Sequence, residues 1–82
     1  MNEPLSVKIT NTERIIWEGT AEAVSSENKD GPFDILPEHA NFLTLVSNKP
    51  IMIHHAKGSQ EFLFKQAIVY VFSDKVSVYV EE

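Results

Sequence analysis

The chain has 82 residues, 43% of them hydrophobic, with 12 acidic against 7 basic side chains and a formal net charge of −5. That composition describes one small folded domain, residues 1–82, and excludes a disordered chain. It also lacks the basic face that nucleic acid or anionic lipid would need.

Cysteine is absent, which excludes disulfide stapling and thiol catalysis and fits a reducing cytosol. Met1 to Ser6 hold no apolar run long enough for a signal peptide. No segment approaches the ~20 apolar residues of a spanning helix, so membrane association has to come through a partner protein.

Along the chain, short apolar runs alternate with turn residues in the manner of an all-β sandwich or barrel. Leu5, Val7 and Ile9 alternate with Ser6, Lys8 and Thr10, as in a half-buried strand. Asn11 and Thr12 suit a turn. Arg14 to Glu18 is a second run, with Ile15 and Trp17 on one face, and Gly19 allows a bend or bulge. Thr20 to Ser26 is a weaker third strand using Ala21, Ala23 and Val24. Asn28-Lys29-Asp30-Gly31-Pro32 is a dense turn signal. Phe33, Ile35 and Leu36 form a short apolar strand that Pro37 ends, and Pro37 to Ala40 reads as a turn. Phe42 to Val46 returns as a strand or a single helical turn, and Asn48-Lys49-Pro50 breaks the chain again. Ile51 to His55 is a strand with Ile51 and Ile53 on one face. Lys57-Gly58-Ser59 turns it into Glu61 to Lys65, where Phe62 and Phe64 share a face. Ala67 to Phe72 is apolar on both faces. Ser73-Asp74-Lys75 then turns the chain into Val76 to Val80, the clearest period of two in the sequence. No segment sustains a period of 3.6. The expected fold is an all-β, flattened antiparallel β-sandwich of eight to ten short strands in two sheets around one core.

Reactive motifs are missing. There is no glycine-rich phosphate loop, no GxSxG elbow and no HExxH, and the glycines at 19, 31 and 58 are unpaired. His54 and His55 point to opposite faces of a strand, so both cannot ligate one ion, and His39 in its turn could join only one of them. The expectation is no catalytic residue, no cofactor and no metal. Asp30 and Asp34 flank Gly31-Pro32-Phe33 and read as turn-formers or solvated charges. If they are functional, partner contact suits them better than catalysis. Glu81 and Glu82 read as a solvated acidic end. Trp17, Phe62, Phe64 and Phe72 are expected in the core. Of the two faces of Ala67 to Phe72, one carries Ile68, Tyr70 and Phe72 and the other Val69 and Val71. Only one can point into the sandwich, and the other lies under a loop or meets a partner.

The stretch Asp30-Gly31-Pro32-Phe33-Asp34-Ile35-Leu36-Pro37-Glu38-His39-Ala40 resembles the signature of the epsilon subunits of bacterial and organellar ATP synthases, roughly D/E-G-x-F-G-I-L-P-G-H-A. The opening Leu5 to Thr10, the run Ile15-Ile16-Trp17-Glu18-Gly19 and the closing Asp74-Lys75-Val76-Ser77-Val78 resemble the same family, so the likeness covers nearly the whole chain. Asp34 and Glu38 stand where the family commonly has glycine, and Gln66-Ala67 where it often has two glycines. The chain stops after Val80, where the family continues into two antiparallel helices with inhibitory and ATP-sensing roles in many members. Those roles are not carried over.

The resemblance implies a non-catalytic central-stalk subunit that links the gamma subunit to the c-ring and couples proton flow to ATP synthesis. It implies a domain monomeric in isolation, held through the complex at the cytoplasmic face of a bacterial inner membrane. Asp30, Gly31, Phe33, Asp34 and His39 are the implied contacts for the c-ring, and Val69 and Val71 are assigned to the gamma side. The missing helices and altered glycines motivate the alternative, a stand-alone β-sandwich protein-binding module derived from the same fold.

Overall fold

Alternation decides which side of each strand is buried, and it does so most cleanly at the two ends of the chain. The computed structural model describes residues 4–81. In β1 (Leu5–Thr10), Leu5, Val7 and Ile9 are fully buried, and in β9 (Lys75–Glu81), Val76, Val78 and Val80 face the same core. Between them run β2 (Ile15–Ala21), β3 (Ala23–Asn28), β4 (Gly31–Ile35), β5 (Phe42–Ser47), β6 (Pro50–His55), β7 (Gly58–Leu63) and β8 (Gln66–Phe72). These nine strands, among the described residues, form a five-stranded sheet in the order β2-β1-β9-β8-β5 and a four-stranded sheet in the order β4-β3-β6-β7. The expected β-sandwich is therefore present. It is flattened, with extents of 35 × 28 × 22 Å.

One pairing departs from the antiparallel rule. β1 runs parallel to β9, with Ser6 opposite Lys75 and Ile9 opposite Val78. A parallel pair needs a long connection, and here the whole intervening chain provides it.

The chain changes sheets at defined points. Thr20 to Ser26 is not one strand: Ala21 ends β2 in one sheet and Ala23 begins β3 in the other. Glu22 makes the corner, its N–H donating to the His54 carbonyl at 2.7 Å. Phe42 to Val46 is a strand rather than a helical turn, paired along its length with β8.

Side chains and glycines set the turns. Asn11 Oδ1 accepts from the N–H groups of Glu13 (2.8 Å) and Arg14 (2.9 Å), closing the β1–β2 connection. Asn28 Oδ1 accepts from Asp30 N–H at 2.8 Å in the β3–β4 turn. Gly31 follows at φ 119°, an angle side chains resist.

The largest fully buried side chains are Leu5, Ile9, Ile35, Ile51 and Ile53, with valines filling much of the space between them. Phe64 is buried, while Trp17 and Phe62 close the margin of the core half-exposed, their rings 6.3 Å apart. Phe72 does not belong to the core. It is 52% exposed, because the β8 register turns Val71 inward and Phe72 outward. Glu81 is the last residue of β9, paired with Gln66, not a loose end. Met1 to Glu3, part of the segment read for a signal peptide, and Glu82 lie outside the described residues.

Candidate functional site

The motif segment spans β4 and the turn after it, and three neighbours hold it. The β3–β4 hairpin presents Asp30 at its exposed tip, with Gly31 beginning β4. Phe33 turns inward beneath the sandwich edge, its ring 5.4 Å from Phe42 in an edge-on contact. His39 meets the same Phe42 ring at 5.5 Å. Its Nδ1 lies 2.7 Å from the Ala40 carbonyl, which can only accept, so the proton sits on Nδ1. Phe42 thus joins Phe33 to His39, and the half-buried imidazole is held by the Phe42 ring on one side and the Ala40 carbonyl at Nδ1.

The turn is also tied to the β8–β9 hairpin. Glu38 N–H donates to Asp74 Oδ1 at 2.6 Å, and Ser73 N–H donates to Asn41 Oδ1 at 3.3 Å. Asp74 accepts a further bond through its carbonyl, from Ser6 N–H at 2.9 Å. Two turns and the start of β1 therefore meet at Asp74.

The five motif residues do not converge on one point. Asp30 and His39 lie at opposite ends of β4. Asp34 sits on the outer face of the four-stranded sheet, away from Phe33, with Ser25 Oγ donating to its Oδ1 at 2.6 Å. The segment offers a rim with two ends and two faces, which suits contact with a partner and does not resemble a reaction centre. Among the described residues, no group of three His, Cys, Asp or Glu side chains is placed to hold a metal ion. Nor does the Asp34–Ser25–His54 set have the order of a hydrolytic triad. There the histidine stands between acid and serine, and here the serine stands between acid and histidine.

A second surface is more extensive. On the outer face of the five-stranded sheet, Leu43 lies opposite Tyr70 and Leu45 opposite Ile68, while Ile68 lies opposite Tyr79. Phe72 continues the row, its ring stacked 6.4 Å from Tyr70. All six are exposed, Leu43 by 66%. At its edge this face runs into a groove of about 680 Å³ between β5 and the β3–β4 hairpin, bordered by Leu43, Leu45, Ile68, Lys29 and Asp30.

The assignment of Val69 and Val71 to a docking face is overturned by this register. They are 1% and 0% exposed, packed inside the sandwich, and cannot touch a partner while it is closed. The accessible residues of β8 are Ile68, Tyr70 and Phe72. Leu43, Leu45 and Tyr79, which complete the surface, did not stand out as surface residues in the sequence. The tyrosines carried the one available signal, since a side chain with an apolar ring and a polar tip favours a position where the tip reaches water.

The family model described as "ATP synthase, Delta/Epsilon chain, beta-sandwich domain" matches residues 4–82. The chain belongs to this family. Two ATP synthase epsilon chains are among its relatives. That of Micrococcus luteus is 35% identical over 54 residues, covering 66% of this chain and 59% of the relative. That of Nitratiruptor sp. is 30% identical over 59 residues, covering 72% of this chain and 46% of the relative. The chain thus spans about half the length of the curated relatives it matches.

Solved structures share the fold at 12% identity. A chain in the Euglena gracilis mitochondrial ATP synthase (OSCP/F1/c-ring) superposes with TM-score 0.87 over 96% of this chain and 51% of that one. A chain in the central stalk/c-ring of the Tetrahymena thermophila mitochondrial ATP synthase gives 0.82 over 99% and 66%.

Membership in the family gives one of the altered glycines a physical meaning. Glu38 has φ 68°, so the turn demands a left-handed residue at that position, which favours glycine. Asp34 lies in β4 and is not among the positive-φ residues, so at its position no such demand exists.

Proposed function

We propose that this domain is a non-catalytic connector in the central stalk of a rotary proton-translocating ATP synthase, joining the gamma subunit to the c-ring. The apolar outer face of the five-stranded sheet carries this reading, together with the family. Six large apolar side chains on three adjacent strands form a contiguous patch of the kind that marks an interaction site. This face is the one assigned to gamma, through Ile68, Tyr70, Phe72 and their neighbours. The motif rim, with Asp30, Gly31, Phe33, Asp34 and His39, is assigned to the loops of the c-ring.

A specific interface needs roughly 1,200–2,000 Å² of total buried surface. Two such contacts engage opposite regions of a sandwich this small, which suits a block that transmits torque. Paired strands and a turn bound at Asp74 make the block stiff. The complex holds the domain at the membrane surface, at the cytoplasmic face in a bacterium. Among the described residues no helix is long and apolar enough to cross a membrane.

Co-expression with the gamma subunit and c-ring of the same organism tests the reading. The domain is expected to co-purify with gamma, and Tyr70→Ser with Phe72→Ser to abolish that association without unfolding the domain. Capture of neither gamma nor the ring by the wild-type domain would refute the connector role and favour a stand-alone binding module.

A further inference from the structure

The outer face of the four-stranded sheet carries a chain of hydrogen bonds that crosses all four strands. On β4, Asp34 Oδ1 accepts from Ser25 Oγ of β3 at 2.6 Å. Ser25 Oγ lies 3.1 Å from His54 Nε2 on β6, and His54 Nδ1 lies 2.9 Å from Ser59 Oγ on β7. The strand-borne charged groups sharing this face are Asp34 from β4, Glu27 from β3 and Glu61 from β7, all carboxylates.

Proton counting orders the chain. A hydroxyl has one hydrogen to give, and an ionised carboxylate can only accept. Ser25 gives its hydrogen to Asp34, so it must accept from His54, and the histidine proton is therefore on Nε2. In the neutral ring Nδ1 then accepts from the Ser59 hydroxyl. In the charged ring Nδ1–H donates to Ser59 Oγ instead. Both states of the ring keep every bond in the chain, and only the sense of the last one reverses.

We propose that Asp34, Ser25, His54 and Ser59 form a polarised relay in which Asp34 fixes the tautomer of His54 from two strands away. Such chains polarise one another, so a change at one end is felt at the other. The relay makes His54 and Ser59 responsive to whatever engages Asp34. A donor group that captures Asp34 Oδ1 frees the Ser25 hydrogen to turn toward His54 Nε2. That ring then shifts its proton to Nδ1, which donates to Ser59. The docking state of the motif strand is carried in this way to the opposite edge of its sheet. The relay itself exists in the free domain; only its link to docking rests on the rim contact proposed for Asp34.

Long-range proton–nitrogen spectra of the isolated domain with ¹⁵N-labelled histidine, followed through a pH series to the point where the ring resonances stop moving, test it directly. The wild-type domain is expected to show His54 as the Nε2–H tautomer alone. Asp34→Ala, an exposed change, should bring in the Nδ1–H tautomer, moving the Nδ1 resonance toward its protonated position with backbone amides elsewhere unmoved. In a Ser25→Ala background, adding Asp34→Ala should change nothing further at His54. A tautomer mixture in the wild-type domain overturns the relay. So does an Asp34→Ala domain whose His54 stays as in the wild type. A response to Asp34→Ala that survives in the Ser25→Ala background would show charge acting through space, and it too overturns the relay.

Discussion

Glu38 holds a backbone angle, φ 68°, that its Cβ resists. The left-handed region costs a residue with a side chain roughly 1–2 kcal/mol, and glycine's extra freedom in the unfolded chain gives back about 0.4–1 kcal/mol of any gain. Glu38→Gly is therefore expected to stabilise the domain by about 0.5–1 kcal/mol, read as a higher midpoint in urea. A lower midpoint would mean that the Glu38 side chain makes a compensating contact. Gly19 presents the opposite case. Its angle is unremarkable, but the Trp17 indole lies across it: a Cβ there would sit 2.9 Å from Cη2 and 3.1 Å from Cζ2. Alanine would have to lift the ring from its place beside Phe62. Overpacking of this kind costs about 1–3 kcal/mol, and the half-exposed indole can yield, which favours the low end. Gly19→Ala should cost about 1 kcal/mol and shift Trp17 emission to longer wavelength as the ring meets more water. By comparison the Lys8–Glu18 pair, 3.8 Å apart and exposed on both sides, contributes little.

Among the elements, the β8–β9 hairpin does the most to place the motif turn. Phe72 lies opposite Lys75, leaving a two-residue loop of Ser73 and Asp74, with φ 50° and 64°. That is the twist-matched hairpin turn usually built from Asn-Gly, made here with Asp74, whose carboxylate also accepts from Glu38 N–H. Asp74→Ala removes the acceptor from Glu38 N–H. A bond to a charged group contributes about 1.5–3 kcal/mol when shielded, and less at an exposed turn. The expected loss is about 1 kcal/mol, with hydrogen exchange at the Glu38 and His39 amides accelerating before that of β8 or β9. Uniform acceleration across the sheet would mean that Asp74 serves the hairpin alone. Strand positions and the turns were legible in the sequence, because alternation and Asn, Gly and Pro report local geometry. The sheet switch at Glu22 was not, since it depends on a bond to His54 far along the chain. Nor was the phase of β8, whose two faces are both apolar. Its inward side is set by the valines of β9 across the ladder, and pairing cannot be read from either strand alone. The motif rim was legible as a segment, but its division between two ends and two faces arises only when β4 takes its place in the sheet.

At the scale of the molecule, the sandwich has two outer faces of different chemistry. One is apolar, from Leu43 to Tyr79. The other carries Asp34, Glu27, Glu61 and His54. A domain that only had to fold would gain nothing from Leu43, Leu45 and Phe72 in water, so the cost in solubility points to a partner on that side. The two sides of β8 make the argument quantitative. Val69 and Val71 are packed in the core, and truncating a buried valine loses both its transfer energy and the contacts around the cavity. Val69→Ala should cost about 1–3 kcal/mol of stability. Tyr70→Ser, one residue away and on the outer face, should change stability by about 0.5 kcal/mol or less. The order should reverse for association: Tyr70→Ser weakens binding to gamma by about tenfold or more, as truncating a central interface aromatic does, while Val69→Ala affects it only through the unfolded fraction. Denaturant midpoints and binding isotherms on the same two variants measure both quantities. If Tyr70→Ser destabilised the fold as much as Val69→Ala, the outer face would be part of the core of a larger assembly in the free protein. If Tyr70→Ser left binding to gamma intact, the proposed assignment of the apolar outer face to gamma would be wrong.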